Sequence, residues 1–287
     1  MNNNKPALKL SPQEFSDFRD FINVEIGLHL TSEKKSLVLH RLSSRIHKLN
    51  FNSFREYLRY VRSHDAGAEN ERQLLFDKIT THTTRFFRES KQFELFQERI
   101  LPDILNRKTN AAQKSLTFWS AGCSTGEEAY TLAMVLEQYK RNHKKVFDYK
   151  IVANDISRKV IETARKGIYG RDVIRQIPKE YTKRYIQHGT GPFEAYIRIH
   201  PHLKRNITFT QNNLMNPASV PEFSCDAILC RNTMIYFARH SRQQLVNRFT
   251  HNLNQGGYLL TSFTESLHDM ETELDQLSPS IYKLNSK

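Results

Sequence analysis

The sequence predicts an α/β protein in which a mostly parallel sheet is covered by helices on both faces and carries a small antiparallel β insertion, with an all-α domain ahead of it. Three observations support this. The first hundred residues carry helical periodicity between marked caps; from Leu116 onward short apolar runs alternate with amphipathic helices; and that alternation is interrupted between Gly189 and Phe209. A chain of 287 residues suits two domains at roughly 100–200 residues each.

Ser11, Pro12 and Glu14 supply an N-cap, a first-turn proline and a capping-box acid, and Phe15, Phe18, Ile22 and Ile26 follow at helical spacing up to Gly27. A second helix runs from about Glu33 to Leu49, with Val38, Leu42, Ile46 and Leu49 on one face. A third opens with the box Ser53 to Glu56, a fourth covers about Glu71 to Ile79, and Ser90 to Arg107 reads as a longer connecting helix. The polar stretch from Arg107 to Ser115 closes this connection. These signals divide the chain into a helical domain over 1–88, a connection over 89–115 and a sheet domain over 116–287.

In the sheet domain, Leu116 to Ser120, Tyr149 to Ala153, Ala227 to Cys230 and Tyr258 to Ser262 read as strands. The first three are followed by helices from about Glu127 to Asn142, Ser157 to Lys166 and Ser241 to Leu253. The turn signal Gly189 to Pro192 and the short runs Tyr196 to Ile199 and Ile207 to Phe209 read as the antiparallel insertion, at about 181–210.

Hydrophobic residues at 38% and charged residues at 25% suit a globular protein. No apolar run approaches the roughly 18–20 residues of a membrane-spanning helix, and the N-terminus lacks the apolar stretch of a secretory signal, which predicts a cytosolic protein. Cys123, Cys225 and Cys230 form no CxxC pair and the histidines show no metal spacing, so no metal site is indicated. A net charge of +13 favours an anionic partner without choosing between nucleic acid, lipid and acidic protein.

The turn Ala121 to Gly126 lies between the first strand and a helix, at the edge where doubly wound sheets bind ligands; it is either a ligand loop or simply a tight turn. Asp155 ends the second strand, where an acid accepts hydrogen bonds from ribose hydroxyls or caps the next helix. Loop and acid together suggest an adenosine-containing ligand.

Three longer segments sharpen this. WSAGCSTGEEAYTLAM (Trp119 to Met134), TTHTTRFFRE (Thr80 to Glu89) and CRNTMIYF (Cys230 to Phe237) resemble the chemotaxis receptor methyltransferases, protein-glutamate O-methyltransferases that use S-adenosylmethionine. The resemblance runs from about Phe15 to the C-terminus and implies a Rossmann-like class I methyltransferase domain with an antiparallel β-subdomain. It assigns Thr84 and Arg88 to the cofactor and catalytic cleft, Glu127, or in its place the neighbouring Glu128, to the methionine amino group, and Asp155 to the ribose. Asn213 and Leu214 then flank the adenine, Gly122 belongs to the cofactor loop, Arg231 and Asn232 line the methionine end, and Tyr236 faces the reacting carbon. His82 stands where the family has asparagine, and an imidazole replaces one amide hydrogen bond but not the same pair. The resemblance implies S-adenosylhomocysteine as the product.

Lys34, Arg41, Arg45 and Lys48 fall within an arc of about 60° on the second helix, a basic stripe that reads as a docking face for an acidic receptor helix or as a solvated face. The resemblance implies that the partner is the cytoplasmic helical bundle of chemoreceptors, that a receptor C-terminal peptide adds to the insertion around Gly189 and Gly191, and that a cytoplasmic monomer is recruited to membrane-bound receptor arrays. Two other readings remain at this point, a nucleic-acid methyltransferase and a non-catalytic S-adenosylmethionine sensor that binds receptors. The absence of an aromatic-interleaved basic motif speaks against nucleic acid.

Overall fold

A computed structural model describes residues 8–108, 115–216 and 223–285. Local sequence codes set the ends of the first helices. In α1 (Pro12–Ile26) Ser11 Oγ accepts from the Glu14 N–H at 3.2 Å and the Glu14 carboxylate accepts from the Ser11 N–H at 2.9 Å, while Gly27 closes the helix at φ 70°. A short 3-10 turn at Ser32–Lys34 precedes α2 (Lys35–Lys48). Ser53 caps α3 (Phe54–Arg62), and α4 begins at Ala68 and ends at Ile79. Phe18, Ile22, Val38, Leu42, Tyr57 and Leu75 from all four helices form one core, each fully burying a side chain that contributes roughly 1.5–3 kcal/mol.

The connecting helix is divided into α5 (Ser90–Leu95), a π-helical turn at Phe96–Ile100 and α6 (Leu101–Arg107). Pro102 explains the break: its ring clashes with the carbonyl four residues back, and the wider turn accommodates it. Most of the polar stretch that follows lies outside the described residues.

The main sheet has seven strands in the order β6-β2-β1-β7-β8-β10-β9. These are β1 (Ser115–Ala121), β2 (Asp148–Asp155), β6 (Ile207–Gln211), β7 (Cys225–Leu229), β8 (Leu253–Leu260), β9 (Leu274–Ser278) and β10 (Ile281–Leu284). The first five pair in parallel and the C-terminal hairpin β9–β10 is antiparallel. Helices α7 (Glu127–Asn142), α8 (Arg158–Lys166) and α11 (Arg239–Asn252) connect and cover it. The strand order reverses at β1, between β2 and β7, which places a crevice at the C-terminal ends of these strands. No helix among the described residues is long and apolar enough to cross a membrane.

Ile207 to Phe209 does not belong to the antiparallel insertion. It pairs in parallel with β2 (Ile151↔Ile207, Ala153↔Phe209) as the edge of the main sheet. The small sheet is instead made of β3 (Ile168–Gly170), β5 (Tyr196–Ile199) and β4 (Ile186–His188), with β5 central. Edge strands of either sheet alternate buried and exposed positions, so periodicity alone assigns them equally well to both. Helices α9 (Lys179–Tyr185) and α10 (Pro201–Lys204) flank the small sheet. Gly189 is required by its turn, because a Cβ there would lie 1.9 Å from the Phe193 carbonyl oxygen; exposed Gly191 adopts φ 56°.

The helical domain closes over the sheet edge through backbone contacts. Leu28 bridges Phe237, the His29 N–H donates to the Tyr236 carbonyl at 2.7 Å, and the Ala238 N–H donates to the Gly27 carbonyl at 3.1 Å. Only glycine fits at position 27, since a Cβ would come within 2.8 Å of Met215 and Phe237.

Candidate functional site

Between this helical cover and the ends of β1, β2 and β7 lies a cleft lined by both domains. The loop after β1 forms its floor. The N–H groups of Gly122 and Cys123 both donate to the Asn154 carbonyl at 2.9 Å, which draws the loop against β2. Gly122, at φ 78°, packs so closely on Thr233 that a Cβ would sit 2.5 Å from its hydroxyl.

Asp155 lines the cleft and is buried. Its two carboxylate oxygens accept the backbone N–H groups of Ser157 at 3.0 Å and Ser124 at 2.9 Å, leaving further lone pairs for a ligand. Burial raises its pKa, and the neighbouring His82 opposes that shift. His82 Nδ1 lies 3.8 Å from Asp155 Oδ1, its Nε2 pairs with the Thr80 hydroxyl at 2.7 Å, and its carbonyl accepts from Ser124 Oγ at 2.8 Å. The imidazole thus joins the Thr80 to Glu89 segment to the floor of the cleft.

At the far end Arg231 is buried between Glu89 and Glu128, 3.3 Å from each, with its guanidinium 4.9 Å from the Phe93 ring centre and a further bond to the Arg88 carbonyl. Burial raises the Glu128 carboxyl and Arg231 opposes it. Asn232 follows at φ 56°, and its buried Oδ1 has no partner among the described residues. Arg88 donates one Nη1–H to the Thr83 carbonyl at 2.9 Å on the rim, with Arg85 nearby. Thr84, Tyr236, Asn213 and Leu214 also line the cleft; the Asn213 amide donates to the Glu25 carbonyl at 2.7 Å and so ties α1 to the rim.

The family profile described as "CheR methyltransferase, SAM binding domain" matches residues 82–282, and "CheR methyltransferase, all-alpha domain" matches residues 13–80. The chain belongs to the CheR methyltransferase family. Among curated relatives, a chemotaxis protein methyltransferase of Borreliella burgdorferi is 34% identical over 97% of this chain and 96% of its own length. One of Escherichia coli is 31% identical over 97% and 93%, and chemotaxis protein methyltransferase 2 of Pseudomonas aeruginosa is 34% identical over 88% and 86%.

The cofactor of this CheR domain is S-adenosylmethionine, and the residues present fit it. An ionisable carboxylate with spare lone pairs stands at one end of the cleft and an unpaired amide oxygen at the other.

The cleft brings together His82, Thr84, Arg88, Gly122, Asp155, Asn213, Leu214, Arg231, Asn232 and Tyr236. It does not include Glu127. Successive helix residues point about 100° apart, so Glu128 faces the cleft while Glu127 turns inward, where it accepts from Thr125 Oγ1 at 2.6 Å. Burial raises the Glu127 pKa, so its stabilising contribution is present below the unfolded value of about 4.3 and lost as pH rises through the raised folded value. Glu127→Gln is therefore expected to raise the unfolding temperature at pH 7, with no difference below about pH 4, and to leave S-adenosylhomocysteine affinity unchanged. Thermal scans and calorimetry check both; lost affinity in a folded variant would return Glu127 to the site.

The basic stripe also divides. Arg45 makes a bidentate pair with Glu71, which is 3% exposed and also accepts from the Tyr57 hydroxyl at 2.9 Å. Arg41 Nη1 donates to the carbonyls of Lys78, Ile79 and Thr80 at the end of α4. Lys34 and Lys48 are exposed. Sequence reasoning missed Glu71 because it lies on another helix, and missed the contributions of Ile26 and Leu28 to the cleft because only the domain packing brings them there.

Proposed function

We propose that this chain transfers a methyl group from S-adenosylmethionine to glutamate side-chain carboxylates of chemoreceptors, forming glutamyl methyl esters in sensory adaptation. The observation that carries this reading is the pair of arginines at the cleft. Arg231 is buried against Glu89, Glu128 and the Phe93 ring, whereas Arg88 sits on the rim with a single side-chain bond, to the Thr83 carbonyl, among the described residues. A rim guanidinium suits an incoming carboxylate.

When bound, the cofactor supplies an electrophilic methyl on a positively charged sulfur. The substrate glutamate, with an ordinary pKa of about 4.3, needs no base at neutral pH. Arg88 orients it, and a loose contact suffices, since a tight bidentate pair would stabilise the ground state. Asp155 holds the ribose hydroxyls, Asn213 and Leu214 flank the adenine, and Arg231, Asn232 and Glu128 face the methionine end. Thr84 and His82 close over the cofactor from the helical side. Tyr236 borders the reacting carbon, and closure of the receptor over the cleft removes water.

The receptor's acidic helical bundle docks on the helical domain, with Lys34, Lys48 and the remaining donors of Arg41 facing it; Arg45 has no part in this contact. Reversing Lys34 and Lys48 to glutamate is expected to raise the Michaelis constant for receptor severalfold at low salt, less at high salt, with cofactor affinity constant. Steady-state kinetics at two ionic strengths check it; an unchanged constant leaves the two lysines as solvated residues. The open edges of the small sheet, beside Gly189 and Gly191, suit addition of a receptor C-terminal peptide as a further strand.

The test of the reading is incubation with tritiated S-adenosylmethionine and receptor-containing membranes. Base-labile label on receptor protein, released as methanol, is expected. Label in RNA would favour a nucleic-acid methyltransferase, and cofactor binding without any transfer would favour a sensor.

A further inference from the structure

Glu265 follows β8 and is 4% exposed, yet no cation pairs with it among the described residues. Its carboxylate is held by backbone instead. Oε2 accepts the N–H groups of Asn232 at 2.7 Å and Ser262 at 2.9 Å, and Oε1 accepts that of Ile235 at 3.1 Å. A fourth bond, in which the Glu265 N–H donates to the Ser262 carbonyl at 2.9 Å, and a fifth, in which Thr261 Oγ1 donates to the Glu265 carbonyl at 2.8 Å, fix the loop that carries it. One carboxylate therefore joins the turn after β7 to the turn after β8.

The residue most affected is Asn232. It adopts left-handed backbone geometry, which asparagine tolerates better than other L-residues though at more cost than glycine. Its Oδ1 is buried in the cleft wall with no donor, a cost that a ligand N–H relieves. Its neighbour Arg231 is immobilised by Glu89, Glu128 and the Arg88 carbonyl, so the turn is anchored on one side by ion pairs and on the other by Glu265. Asp155 has its own anchors, Ser124 and Ser157, and shares none with Glu265.

We propose that Glu265 is a positioning residue for methyl transfer, which holds the Asn232 amide oxygen against the ammonium of the cofactor's methionine end by fixing the backbone of the Asn232–Tyr236 turn. This rests on the cleft's holding S-adenosylmethionine with its methionine end at Arg231 and Asn232. Glutamine at 265 offers one carbonyl oxygen in place of two carboxylate oxygens and turns an NH2 group toward a backbone donor, so at least one of the three bonds is lost.

The test is calorimetric titration of the full-length protein with S-adenosylhomocysteine and, separately, with adenosine, which lacks the methionine end. Glu265→Gln is expected to weaken S-adenosylhomocysteine about tenfold and leave adenosine unchanged, and adding Glu265→Gln to Asn232→Ala should cost nothing beyond Asn232→Ala alone. Equal losses for both ligands, additive losses in the double variant, or unchanged affinity in folded Glu265→Gln would each overturn the proposal. Wild-type protein that binds neither ligand would overturn the cofactor assignment first. Should Glu265→Gln fail to fold, amide hydrogen exchange on the wild-type protein decides. The amides of Asn232, Ile235 and Ser262 are expected to be protected in the cofactor-free protein, and exchange at open-peptide rates overturns the proposal.

Discussion

Arg45→Ala is expected to destabilise the protein by about 3 kcal/mol, because it strips Glu71 of its bidentate partner and leaves a carboxylate that is 3% exposed with only the Tyr57 hydroxyl. Arg45 itself is 21% exposed, which places the loss at the lower end for a broken buried pair. Denaturant unfolding measures it. Replacing both partners, Arg45→Met with Glu71→Leu, should recover most of the loss, since an apolar pair carries no desolvation cost. A single variant as stable as wild type would mean that the pair is open to water. For the same reason, reversing Arg41 and Arg45 to glutamate would release the end of α4 and repel Glu71, a folding defect.

The second large effect concerns chemistry. Arg88→Ala is expected to lower the methyl-transfer rate about a hundredfold while S-adenosylhomocysteine affinity falls only a few fold, because misalignment of a reacting carboxylate costs rate well beyond binding. Rates at saturating cofactor and receptor, set beside calorimetry, separate the two. Tyr236→Phe should be milder. A wild-type rate in Arg88→Ala would leave Arg88 a rim residue with no part in orientation.

The readings that succeeded from sequence are those in which the deciding partner lies within a few residues. Ser11 and Glu14 cap one another three residues apart, and Gly27 ends the helix by its own backbone freedom. The contact of Asp155 with the start of α8 was legible because the Ser157 N–H, two residues on, donates to its carboxylate. The failures needed a partner from elsewhere in the chain. The stripe on α2 has no acid within it, but Glu71 on α4 faces it across the helical core. Glu127 and Glu128 are equal in composition, and only the rotation of α7 over the sheet determines which faces Arg231. Ile207 to Phe209 had the right period, but its sheet was set by the parallel register with β2. Glu265 stands 33 residues from Asn232, and no local pattern joins an acid after β8 to a turn after β7.

The most direct test of the central claim is mass-spectrometric mapping of receptor protein after reaction with S-adenosylmethionine and the purified enzyme. The account predicts methyl groups on glutamate side chains of the receptor's cytoplasmic helices, removed by mild base and greatly reduced with Arg88→Ala. Methyl groups on lysine or arginine nitrogens, or an unmodified receptor beside methylated RNA, would contradict it.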